Sequence, residues 1–226
     1  MAVQHLRLVD TADALIEGFR PGVMDRLGLG WEALSRRNAR LVFCSLTGYG
    51  QTGPLAPKAG HDLNYCAMTG VLDQIRADGV PAVPNLQIGD LLGGTLTALA
   101  ALLAALLGAQ RSGRGSRVDA AMTDGLLVHH IFPHGDLDAG QVPTAGRTLL
   151  TGGTPCYRIY RTADDRHLAV GALELKFWQA FCDAAGLADL RDKHWALGLA
   201  PGSAASDEVT QRVAARIRQK SRTDWE

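Results

Sequence analysis

The chain has 226 residues, 46% of them hydrophobic, enough apolar material for the core of one large domain or slightly more. Lys plus Arg equals 23 and Asp plus Glu equals 23, so no overall field draws it to nucleic acid or an anionic membrane, and neither is an expected partner. Cys44, Cys66, Cys156 and Cys182 are scattered without disulfide or metal-ligand spacing, which favours free thiols in a reducing cytoplasm and gives no metal site. The opening MAVQHLR meets polar and charged residues before the apolar core of a secretion signal can develop.

Taken in chain order, LRLVDTAD (residues 6–13) reads as the tail of a helix. ALIEGF (14–19) and ARLVFCSLT (39–47) carry the β-branched and aromatic runs of buried strands, and residues 22–38 between them read as helical. The chain therefore opens in the middle of an alternating α/β pattern, as a chain truncated at its start would.

After the second strand comes SLTGYGQTGPLAPKAGHDLNY, with a Gly-x-Gly-x-x-Gly match at Gly48, Gly50 and Gly53. A dinucleotide fingerprint needs a helix directly after those glycines, and Pro54 and Pro57 deny it the amide donors. The expected structure is a strand-end turn, where glycine lets backbone approach a ligand. His61 follows, then Asp62, Leu63, Asn64 and Tyr65. An ionisable group on such a loop is placed for catalysis, although a lone histidine also serves as an ordinary hydrogen-bonded residue.

Residues 91–109, LLGGTLTALAALLAALLGA, hold no charge and approach the roughly 20 residues that cross a bilayer. Gly93, Gly94, Thr95 and Thr97 weaken that reading, and the expectation is a helix buried on all sides in a core. Asp90 would cap its start, and the amides of Leu91, Leu92 and Gly93 beside it would suit an oxyanion. RSGRGSR (111–117) reads as a solvated turn into a short strand at 117–120 and a further helix. In HHIFPH, His130 and His134 stand four apart, but Pro133 would disrupt their turn and no zinc-protease glutamate lies between them.

Glycine, proline and threonine crowd residues 135–155, the expected linker between a first domain at 1–134 and a second at 156–226. CYRIYRTADDRHLAVGA reads as a hairpin turning at Ala163, Asp164 and Asp165. Glu174 stands where strand passes into helix, and its plain role is a first-turn glutamate favoured by the helix dipole. Val209, Val213 and Ile217 keep helical spacing, and Ser221 with Asp224 opens a new helix in whose first turn the chain stops. One turn alone cannot persist, so the chain reads as truncated at this end too.

ADALIEGFRPGVMDRLGLG, LTGYGQTGP, AGHDLNY, GDLLGG and GRGSRVDAAM, in that order and followed by GGTPCYRIYRTADDRHLAVGALELKFW, resemble the family III CoA-transferases of the CaiB/BaiF type, with the α-methylacyl-CoA racemase branch nearest. The resemblance implies an α/β fold, a Rossmann-like large domain with a parallel sheet (incomplete here) plus a smaller α+β domain, in an interlocked homodimer. It implies an acyl-CoA substrate with no cofactor beyond the CoA that the substrate carries, handled in the cytoplasm.

By the same resemblance His61 and Asp90 are the acid/base pair and Glu174 supports His61. Arg20 and Arg26 are candidates for the CoA phosphates, while Gly60, Asp62, Leu63, Asn64 and Tyr65 line the thioester end. Racemisation needs a base on one face of the α-carbon and an acid on the other, and groups with reference pKa values of about 6.5 and 3.9 can supply both if the site adjusts them. Two other readings stay open at this point. One is CoA transfer through an acyl intermediate on Asp90, and the other is an inactive truncated fragment.

Overall fold

The computed structural model describes residues 2–77 and 79–226. They form two compact units, Met1–Gly135 and Asp136–Glu226. The first runs α1 (Ala2–Val9), β1 (Ala14–Glu17), α2 (Val23–Arg26), α3 (Trp31–Arg37), β2 (Val42–Thr47), α4 (Asp62–Met68) and α5 (Val71–Gln74). A small antiparallel pair follows, β3 (Arg76–Ala77) with β4 (Val80–Pro81). A π-helix, Gly89–Leu96, then runs directly into α6 (Thr97–Ser112), β5 (Arg117–Ala121) and α7 (Met122–His129). The helical stretch expected over 22–38 is two short helices, because Leu27 to Gly30 turn between them, with Gly28 and Leu29 amides bonded back to Asp25 and Met24.

β1, β2 and β5 form a parallel sheet with β2 in the middle, pairing Ala14 with Val42 and Phe43 with Arg117. Helices cover β2 on both faces, so its first four residues are all buried and its sequence runs apolar without alternation. Val42 and Cys44 meet Ala98, Leu102 and Ala109 of α6. Leu41 and Phe43 meet Val9 of α1 and Leu34 of α3 on the other side.

The apolar helix is not buried on all sides as expected. Its sheet-facing stripe of Ala98, Leu102 and Ala109 is covered, but Leu99, Leu103 and Leu107 are 47%, 57% and 47% exposed. A helix lying on one face of a sheet can bury only the stripe that repeats every three to four residues toward it.

α8 (Ile131–Asp138) bridges the divide, so residues 135–138 are helical rather than linker. The break expected at Pro133 falls at His130 instead, where α7 ends. Pro133 occupies the first turn of α8, a place where a missing amide costs no helical bond.

In the second unit β6 (Tyr157–Arg161) and β7 (His167–Gly171) make the expected hairpin, with Asp165 at φ 57° in its turn. α9 (Leu175–Ala185) and α10 (Ala204–Ile217) pack on it, burying Tyr160, Val170, Trp178, Cys182, Val213 and Ile217 in one core. Ser221 and Asp224 do form the expected reciprocal cap of α11 (Arg222–Trp225). That single turn does not stand alone. The Trp225 indole donates to the Ile217 carbonyl at 2.8 Å, and its ring meets the Lys220 ammonium at 4.9 Å.

Candidate active site

The loop that leaves β2 is shaped by packing. A Cβ on Gly48 would overlap the Tyr65 ring, and Gly50 and Gly53 sit at φ 81° and 87°, a region glycine enters without strain. The Gln51 amide donates to Asp119 of β5 at 3.0 Å, and the Thr123 amide of α7 donates to the Gly48 carbonyl at 3.1 Å. The loop is thus tied to two neighbouring elements before it reaches Gly60.

Gly60 lies under two rings. A Cβ there would stand 2.7 Å from both the Tyr49 hydroxyl and the Tyr65 ring. Those rings meet edge to face at 5.2 Å, and the Tyr65 hydroxyl donates to the Gly60 carbonyl at 2.7 Å. Burial, then Tyr49 and Asp90, push the Tyr65 phenol up, which keeps it a donor. His61 is the N-cap residue of α4, in extended conformation, and its amide donates to the Asn64 side chain at 3.0 Å. His61 is exposed, as are Leu63 and Asn64.

Asp90 is not the cap of its helix. The Leu91 amide donates to the Gln87 carbonyl at 2.9 Å, so the helix begins one turn earlier than the apolar run suggests. Asp90 then lies in the first turn of the π-helix, and its own amide donates to Asp62 Oδ1 at 2.9 Å. The Cys66 thiol lies 3.7 Å from Asp62 Oδ2. This corrects the expected oxyanion donors, since the Leu91 amide is engaged and the start of the helix is covered by α4. The wide turn is also marked by the Thr95 and Thr97 hydroxyls, which donate to carbonyls five residues back at 3.0 Å.

Gly93 and Gly125 hold the π-helix against α7, with no room for a Cβ between their backbones. Burial and the neighbouring Asp62 carboxylate push the Asp90 carboxyl up, while His61 pulls it down. Asp62, which accepts the Asp90 amide, is the residue next to His61, so His61 and Asp90 belong to one region.

His61, Gly60, Tyr65, Tyr49, Lys58 and Arg20 line one cleft of about 300 Å3 at the end of the strands. Arg20 also borders a second, of about 150 Å3, with buried Glu17, Ser45, Gln51, Trp31 and Arg117. Arg26, at the end of α2, lines neither. Sequence reasoning missed Lys58 and Tyr49 as cleft residues, although Lys58 stands in the same loop three residues before His61. Glu174 belongs to the second unit, exposed, at the N-cap of α9. Among the described residues no three His, Cys, Asp or Glu side chains are grouped to hold a metal ion.

A parallel sheet with a histidine in the loop beyond β2, in a cleft beside Arg20 and Lys58, and with Asp90 bonded through its amide to the neighbouring Asp62, makes an α/β protein with ionisable groups gathered near the strand ends. Its family can be stated. The chain belongs to CoA-transferase family III, whose model matches residues 4–226.

It is 40% identical over 184 residues to the α-methylacyl-CoA racemase of Homo sapiens, covering 80% of this chain and 48% of that protein. It is 38% identical over 173 residues to the succinyl-CoA–D-citramalate CoA-transferase of Chloroflexus aurantiacus, covering 74% of this chain and 41% of that one. The crystal structure of Rv3272 from M. tuberculosis superposes with a TM-score of 0.80 at 32% identity, over 99% of this chain and 59% of that chain. The chain thus spans about half the length of the human racemase, 48%.

Proposed function

We propose that the protein is a racemase or epimerase of 2-methylacyl-CoA thioesters, working by proton exchange at the α-carbon. The observation that carries this reading is the bond from the Asp90 amide to the carboxylate of Asp62, the residue next to His61, which brings the aspartate and the histidine into one region of the fold. One group removes the α-proton from one face while the other delivers a proton to the opposite face, so the covalent balance is unchanged and no redox partner is needed. Charge that builds on the thioester oxygen needs donors. The first amides of α4, Asp62 and Leu63, lack helical partners by geometry and lie next to His61.

Arg20 and Lys58 suit the phosphates of the CoA that the substrate carries, Arg20 through its forked donors. Residues 60–65 would lie along the thioester end. Glu174 would support His61 in an assembly of the homodimeric kind, in the reducing cytoplasm that four free cysteines favour.

Incubating the chain with a 2-methylacyl-CoA in heavy water tests the proposal. Deuterium should enter the α-position of both epimers, and His61→Ala should slow its entry by about 100-fold. The similarity to the Chloroflexus transferase favours one second reading, CoA transfer with Asp90 as the nucleophile. Conversion of Asp90 to its hydroxamate when hydroxylamine is added with the acyl-CoA, with release of the group it carried and without α-deuterium, would replace the first reading with the second.

A further inference from the structure

We propose that Asp62 is a positioning residue whose carboxylate, by accepting the Asp90 amide, fixes the spacing between His61 and Asp90. The inference rests on the two-base reading above.

His61 and Asp62 are consecutive, the N-cap and first residue of α4. Whatever holds Asp62 therefore holds His61. The Asp62 side chain reaches across 28 positions of sequence to the Asp90 amide at 2.9 Å. Gly89 makes that approach possible, since a Cβ there would stand 2.9 Å from the same carboxylate oxygen. The second oxygen faces the buried Cys66 thiol at 3.7 Å, which leaves the carboxylate little freedom to turn away.

The rest of the first turn of α4 fixes the other side of the pair. Asn64 holds the His61 amide and Tyr65 holds the Gly60 carbonyl. Asp90 stands in the first turn of the π-helix, where amides lack partners within the helix, so its amide takes an acceptor from outside. The Asp62 carboxylate supplies that anchor, its two oxygens engaged by the Asp90 amide and the Cys66 thiol, while only the backbone amide of Asp62 faces the proposed thioester site.

A second consequence is electrostatic. After burial, the charge of Asp62 is the influence that raises the proton affinity of Asp90, and His61 opposes it. The other ionisable neighbours on α4 are Tyr65 and Cys66. α7 carries Asp124 and His129. β5 carries Arg117 and Asp119, of which Asp119 is bonded to the Gln51 amide. Two variants separate the anchor from the charge. Asp62→Asn keeps an acceptor oxygen of the same shape and loses the charge, whereas Asp62→Ala loses both.

In the α-deuterium assay, Asp62→Ala should lower kcat by about tenfold or more with KM within about threefold. Asp62→Asn should restore kcat at neutral pH to within about threefold of wild type and move the acid limb of its profile to lower pH. In NMR spectra of the same proteins, the Asp90 amide should keep its hydrogen-exchange protection in Asp62→Asn and lose it in Asp62→Ala. Equal kcat losses in both variants, or a protected Asp90 amide in Asp62→Ala, would overturn the proposal. Asp62→Asn is nearly isosteric, so it remains informative if the alanine variant does not fold; loss of amide protection in it then overturns the proposal. If the wild-type chain exchanges no α-proton, the racemase reading fails separately, and the amide protection alone decides whether Asp62 positions Asp90.

Discussion

At the residue scale, Asp90 is held in a setting that opposes its own charge. Burial and the Asp62 carboxylate raise its proton affinity above the ordinary carboxylate value of 3.8. Between that value and the raised one the folded chain binds more protons than the unfolded chain, so this group's contribution to stability falls as pH rises through the window. Asp90→Asn is therefore expected to raise the thermal unfolding midpoint at neutral pH, with the gain shrinking at acid pH. A lower midpoint for the variant at neutral pH would show that the ionised carboxylate is a net stabiliser. Stability given up at one carboxylate while a reactive group is kept poised is common at working sites.

His61 and Asp90 were both legible from the sequence as chemistry-bearing residues. Asp62 was legible as one of the residues along the thioester end, with no sign of a bond to Asp90. Its partner lies 28 positions away, and nothing in local spacing points from one to the other.

At the scale of elements, the junction of the π-helix with α7 decides where Asp90 stands. Gly93 and Gly125 bring the two backbones together, and a Cβ on Gly125 would overlap the Gly93 backbone. Gly125→Ala should cost about 1–3 kcal/mol in urea unfolding, because the overlap is with main chain and cannot be relieved by rotating a side chain. A change below about 0.5 kcal/mol would mean that the helices separate at little cost.

Periodicity located β2, the hairpin of β6 and β7, and α10, because each carries a local apolar pattern matched to its period. It placed the start of the apolar helix wrongly. The Gln87 carbonyl closes the first turn ahead of the leucines, and a polar residue in that role leaves no mark on the hydrophobic pattern.

At the scale of the molecule, Leu99, Leu103 and Leu107 form an apolar stripe on α6 that the first unit does not cover. Gly89–Ser112 is long and apolar enough to cross a membrane by length and composition, and 22% of its most apolar window is buried. Its opposite face carries Ala98, Leu102 and Ala109 against the sheet, and crossing a bilayer would strip that face away. The chain is expected to bind a hydrophobic dye, with Leu103→Glu reducing the signal, and to stay with the soluble fraction when floated with anionic vesicles. Dye binding unchanged by Leu103→Glu would place the exposed apolar surface elsewhere.

The sequence by itself determined the alternating α/β class, the family, and the order in which the histidine, the aspartate and the glutamate occur. These follow from local runs and motifs, which depend on residues close together in the chain. Only the tertiary structure decided that Asp62 anchors Asp90, that Lys58 and Arg20 share a cleft with His61, and that one face of the apolar helix lies open. Each of those depends on which distant segments meet, and that is set by packing around the central strand rather than by any spacing along the chain.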